Sequence, residues 1–179
     1  MPVYVLNILL LPLLSNSKHD NPTAYKLVAF VMRLITPLLQ PTLLSFVENI
    51  LIGSNTNFHE VEGEIVDEIY PLIFELHKIS PKLLNGILPL LTVQLKIEEQ
   101  EIRHKAVKLL GKLFLSETVD NIKDFPREFK EFLSRFNDLS TEIRLTMLDC
   151  SLLLLKNKKV PLLKVCYSHC NDSYDNSYY

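Results

Sequence analysis

Asp138 and Arg144 stand six residues apart, across a turn between two apolar helical stretches. A carboxylate and a guanidinium so placed can form a charge-assisted, two-pronged hydrogen bond. In stacked helical repeats an aspartate and an arginine at these places tend to form a polar ladder between successive repeats. Arg103 occupies the equivalent arginine position one unit earlier. Its own aspartate is missing, because Ile97 stands where Asp138 stands later, and Glu98 or Glu99 is the substitute expected. The chemistry expected of Arg103, Asp138 and Arg144 is therefore structural.

Other reactive residue types form weaker patterns. Lys105, Lys108 and Lys112, spaced by three and four, share one helical face and make a candidate partner- or anion-binding stripe. Lys156, Lys158 and Lys159 end the last strongly helical segment, where positive charge suits the helix dipole. Cys166, His169 and Cys170 invite a metal, but a structural zinc site needs four ligands and no second Cys/His pair follows. The acidic run at 60, 62, 64, 67 and 68 suits a charged surface at a helix start better than an acid/base pair. No P-loop, dinucleotide fingerprint, nucleophile elbow or zinc-protease motif is present. The expectation is a chain that is not an enzyme, with no cofactor and no metal.

The elements that would position these residues are helices. Leucine dominates, glycine numbers 4 and tryptophan is absent, which favours helix over sheet. Asn21-Pro22 and Ser80-Pro81 are N-caps followed by first-turn prolines, and Pro41 and Pro126 fit the same position. Gly53 suits a helix stop. Apolar spacing predicts helices near 2–14, 22–36, 41–52, 61–78, 81–96, 99–115, 126–136 and 140–157. Pro71 should kink the fourth of these.

The sequence also repeats itself. Glu101-Ile102-Arg103 returns as Glu142-Ile143-Arg144, forty-one residues on. At the same offset Leu88, Leu91 and Leu95 meet Phe129, Phe132 and Phe136, while Val107, Leu113 and Phe114 meet Leu148, Leu154 and Leu155. A period near forty with two helices per unit is the HEAT signature. The expected fold is an all-α solenoid of HEAT-type repeats over 1–157, about four helix pairs, with a divergent and disordered tail over 158–179.

Charge and composition narrow the class further. Net charge is −2, so no global basic field favours nucleic acid. The acidic excess lies in residues 1–100, with 10 acidic and 6 basic side chains; residues 101–179 carry 11 and 13. Three cysteines do not make a disulfide framework and suit a reducing compartment. Val3–Leu14 is apolar but lacks a preceding basic residue and a small-x-small cleavage site, so a buried helix is expected there instead of a signal peptide. No uninterrupted apolar stretch of about 18 residues occurs, and no membrane span is expected.

Particular segments carry a family resemblance. Arg135-Phe136-Asn137-Asp138-Leu139 followed by Ile143-Arg144-Leu145 resembles a distinctive segment of the precocious-dissociation-of-sisters (Pds-five) family of sister-chromatid-cohesion proteins. Val107-Lys108-Leu109-Leu110-Gly111-Lys112-Leu113-Phe114 is similar too, as are Pro81-Lys82-Leu83-Leu84, Leu88-Pro89 and Leu95-Lys96. Weaker similarity reaches back through Ala24-Tyr25, so that roughly 5–157 is covered and the likeness stops near Asn157. The family's proteins are far longer, which implies a fragment, a truncated paralogue or an incomplete gene product. The resemblance implies a nuclear, non-catalytic scaffold that regulates cohesin. Its partners would be the ring's kleisin subunit, the wings-apart-like release factor and cohesion-protecting factors, with only indirect chromatin association. The family's inositol-phosphate ligand maps onto no named residue here. The repeats alone would also suit a generic HEAT adaptor, such as a transport or phosphatase scaffold.

Overall fold

The computed structural model describes residues 3–53, 63–116 and 121–159. Among these the fold is all-α: every regular element is a helix or a short 3-10 turn. Two compact units divide between Leu90 and Leu91.

The first unit contains α1 (Val3–Leu10), α2 (Ser15–Asp20), α3 (Pro22–Ile52), α4 (Gly63–Asp67) and α5 (Ile69–Ile79). The start of α3 follows from its residues. Asn21 accepts the Ala24 N–H at 3.0 Å, Pro22 occupies the first turn, and Gly53 closes the helix with a left-handed φ of 65°. One face of α3, with Met32, Thr36, Leu43, Phe46, Val47 and Leu51, is buried, and the helix packs against α5.

The break expected at Pro41 does not occur. α3 runs through Pro37 and Pro41 as one helix of 31 residues. Both prolines are exposed. The carbonyls deprived of an N–H donor therefore lie on the watered side of the helix, where solvent replaces the lost bonds. Merged in this way, α3 is long and apolar enough to cross a membrane by length and composition, which the shorter predicted helices were not.

The interruption expected at Pro71 lies earlier, at Glu68, between α4 and α5. Pro71 sits in the first turn of α5, where its missing N–H costs little; the ring acts on the carbonyl four residues back, at Asp67, where α4 ends. Glu75 on α5 gathers the polar contacts of this unit. It accepts from the Tyr25 hydroxyl at 2.7 Å and pairs with Lys78 at 2.9 Å and Lys18 at 3.4 Å.

α6 (Leu84–Gln94) spans the division and carries Leu88 and Leu91, both fully buried. The second unit continues with α7 (Gln100–Leu115), α8 (Asn121–Asp124), α9 (Pro126–Leu133) and α10 (Thr141–Lys156). α7 and α10 lie side by side. Gly111 makes this approach possible: a Cβ there would stand 2.5 Å from Cys150 Sγ. Behind them Phe114 packs edge-on against Phe129 at 5.0 Å and against Phe132 at 5.4 Å. Burying apolar side chains of this size contributes about 1.5–3 kcal/mol each.

The forty-one-residue offset is visible in space. Gln100 donates to Glu142, His104 contacts Thr146 at 2.9 Å, and Lys159 donates to the Ser116 carbonyl at 2.8 Å. These pairs are separated by 42, 42 and 43 residues. Leu148 departs from the repeat. Its counterpart Val107 is fully buried, whereas Leu148 is 51 % exposed, because no described element lies over that side of α10. The expected tail falls almost wholly on 160–179, outside the described residues, as do Cys166, His169 and Cys170.

Candidate functional site

The best-defined polar centre lies at the start of α7 and the turn before α10. Arg103 is in the first turns of α7 and its side chain folds back along the helix. Its Nη1 donates to the carbonyls of Ile97 at 2.9 Å and Glu98 at 2.6 Å. Its other donors take Asp138: Nε to Oδ2 and Nη2 to Oδ1, both at 3.0 Å. Both residues are buried.

Asp138 is held from two further directions. The Ser140 N–H donates to Oδ1 at 2.9 Å, and the Arg135 guanidinium stands 3.5 Å from Oδ2. Arg135 also donates to the Leu95 carbonyl at 3.0 Å. Burial by itself pushes the Asp138 carboxyl up; the Arg103 hydrogen bonds, the Ser140 N–H and the two guanidinium charges outweigh it and hold the carboxyl below its ordinary range. At neutral pH the site therefore holds an ionised carboxylate with both oxygens engaged by donors.

Arg144 does not touch that carboxylate. Its Nη1 donates to the carbonyls of Asp138 at 2.7 Å and Leu139 at 3.0 Å, and its Nη2 to the Thr141 hydroxyl at 2.9 Å. Arg103 and Arg144 thus perform the same local task one repeat apart, each holding the carbonyls six and five residues before it. The expected substitute for the missing aspartate is corrected accordingly: Glu98 offers its backbone carbonyl to Arg103, and the carboxylate comes from Asp138.

Two contributors, Arg135 and His104, escaped the sequence reading. Arg135 lay inside the quoted segment without an assigned role. His104 stands 3.1 Å from Glu142 and 2.9 Å from Thr146, joining α7 to α10. The forty-one-residue offset, carried one position further, would have found that contact.

The lysine stripe is present as a surface. Lys105, Lys108 and Lys112 are all exposed on α7. Lys105 pairs with Glu101 at 2.7 Å. A second basic surface borders a cavity of about 210 Å³ in the first unit, lined by Tyr25, Lys26, Phe30, Arg33 and Lys78. Among the described residues no group of three His, Cys, Asp or Glu side chains is placed to hold a metal ion.

A family model described as "Sister chromatid cohesion protein PDS5 protein" matches residues 1–166, nearly the whole chain. The chain belongs to the PDS5 family. PDS5 homolog A-B of Xenopus laevis is 29 % identical over 140 residues, which are 78 % of this chain and 10 % of that protein. PDS5 homolog A of Gallus gallus and PDS5 homolog B of Homo sapiens are each 28 % identical over 141 residues, with 79 % of this chain and 10 % of the relative covered. The chain therefore spans about a tenth of the length of these PDS5 relatives. The PDS5 match also runs past Asn157, where the resemblance read from the sequence stopped, so that residues 158–166 belong to the family segment.

Proposed function

We propose that this chain is a non-catalytic scaffold segment acting in sister chromatid cohesion, in the nucleus. The observation that carries this is the PDS5 match over residues 1–166, which includes the Arg103–Asp138 centre and every described helix. The polar centre supports a structural role in the scaffold. Its carboxylate is spent on Arg103, Arg135 and Ser140, and it ties the start of α7 to the turn before α10. In this proposal Arg103, Asp138 and Arg144 form the ladder that keeps successive repeats in register, leaving the outer helix faces to bind protein.

The partners proposed are the kleisin subunit of cohesin and the wings-apart-like release factor, with chromatin reached only through them. Lys105, Lys108 and Lys112 form the proposed contact surface, since a row of exposed ammonium groups on one rigid helix suits an acidic segment of an extended partner. The test is titration of the purified chain with the purified kleisin subunit. Saturable binding that weakens several-fold when all three lysines become glutamate supports both the partner and the surface. Absence of binding to kleisin, with reproducible binding to a transport or phosphatase subunit, would replace the cohesin role with that of a general adaptor.

A further inference from the structure

The face of α7 that carries Lys105, Lys108 and Lys112 is not the face that stacks. α10 lies against α7 in register, with Gln100 beside Glu142, His104 beside Thr146 and Gly111 beside Cys150. With α10 so packed, the three lysines are still exposed. The forty-one-residue offset carries them onto Thr146, Asp149 and Leu153 of α10. The same offset carries the stacking positions His104 and Gly111 onto Leu145 and Leu152, which lie on another side of that helix. A further helix stacked on those leucines therefore leaves Asp149 open, as α10 leaves Lys108 open.

The two lateral faces bring opposite charges side by side. Lys108 and Asp149 hold equivalent positions on neighbouring helices, and both are exposed. They form no ion pair with each other, and neither has an ion-pair partner elsewhere among the described residues. Their neighbours are engaged: Lys105 pairs with Glu101 at 2.7 Å, and Glu142 contacts Gln100 and His104. Lys108 and Asp149 are thus charges that these faces hold available for a partner.

Spacing limits what can reach both. Packed helix axes stand about 8–10 Å apart, which sets the separation of the two charges across the helix pair. An extended chain of the polyproline-II type has three residues per turn and rises about 3.1 Å per residue. Side chains three apart in such a chain share a face and stand roughly 9 Å apart. A segment laid across α7 and α10 therefore sets one side chain over Lys108 and the third one after it over Asp149.

We infer that the segment held by the lysine face is not uniformly acidic: it is an extended polypeptide that crosses α7 and α10 with an acidic side chain over Lys108 and, three residues along, a basic one over Asp149. This rests on the proposal that the lysine face binds the kleisin subunit. Asp149 supplies the selectivity. A segment with acid at both places is attracted at Lys108 and repelled at Asp149, and binds more weakly than one of mixed charge.

The experiment is calorimetric titration of the whole chain with the purified kleisin subunit, as wild type and as Lys108→Glu and Asp149→Lys. Both positions are exposed, and circular dichroism verifies that each variant folds. Each reversal should weaken binding about fivefold. A uniformly acidic segment would instead bind Asp149→Lys more tightly than wild type. Unchanged or tighter binding by Asp149→Lys, while Lys108→Glu is weakened, overturns the inference and leaves the lysine face as the kleisin contact. Unchanged binding by Lys108→Glu, or a folded wild-type chain that does not bind kleisin, overturns the lysine-face reading and the inference with it.

Discussion

Arg103 and Asp138 meet across 35 residues of sequence through two parallel hydrogen bonds of 3.0 Å, and neither side chain retains appreciable contact with solvent. The same guanidinium closes the turn before its own helix. One arginine therefore couples a local stop signal to a contact between repeats.

Removing either partner of that pair strands the other. Asp138→Ala should destabilise the chain by about 3 kcal/mol, the lower end for a broken buried ion pair, because Arg135 and water partly compensate. Arg103→Met with Asp138→Leu should cost less than Asp138→Ala alone. Arg144→Ala removes bonds to carbonyls at a half-exposed place and should cost about 1 kcal/mol. Urea unfolding at neutral pH measures all three. The pair also has an acid limit. Asp138 is held below its ordinary range, so its stabilising contribution is complete above the ordinary carboxylate pKa and is lost as pH falls through the folded-state value. Asp138→Asn should flatten that part of the stability profile.

Gly111 and Cys150 should behave as a coupled pair. Gly111→Ala places a methyl 2.5 Å from Cys150 Sγ and should destabilise by about 1–3 kcal/mol through overpacking. Adding Cys150→Ala removes that sulfur and should recover most of the loss. A double-mutant cycle by thermal unfolding checks the coupling. Equal and additive effects would show that the α7–α10 approach is looser than described.

Tyr25 should set an alkaline limit on the first unit. Its burial, its hydrogen bond to Glu75 and the Glu75 charge push the phenol up to about 12. The folded state favours the neutral phenol, so stability is fully present below the ordinary tyrosine pKa and is lost as pH rises from there through the folded value. Tyr25→Phe removes that dependence and costs about 1 kcal/mol at neutral pH, the worth of one hydrogen bond. Stability measured at pH values on both sides of 10 separates the two effects; an unchanged alkaline slope in the variant would assign the limit to another group.

Much of this organisation was legible in the residues. Asn21-Pro22 and Gly53 mark the two ends of α3 because caps act locally. The forty-one-residue recurrence was legible because most core positions change in size, as Leu91 to Phe132, and stay apolar, the buried Ser151 at the place of Leu110 being an exception. The family likeness followed from the Arg135–Leu139 segment and its spacing to Arg144. Local rules failed where distant packing or solvent decided the outcome. Pro41 reads as a helix start, yet on the watered side of α3 its missing N–H is tolerated and the helix continues. Periodicity placed Leu148 on an apolar face without revealing whether anything covers it. The partner of Arg103 was hidden for a related reason: the pairing joins residues 35 apart, and six-residue spacing points only to Arg144.

The claim of a cohesion scaffold rests on family membership and on an intact helical surface, and direct titration of the chain with the kleisin subunit tests it most directly. Isothermal titration calorimetry should give saturable 1:1 binding, weakened several-fold by glutamate at Lys105, Lys108 and Lys112. No binding at protein concentrations of about 100 µM, from a chain shown to be folded and with calorimetry and sedimentation in agreement, would contradict the proposed role.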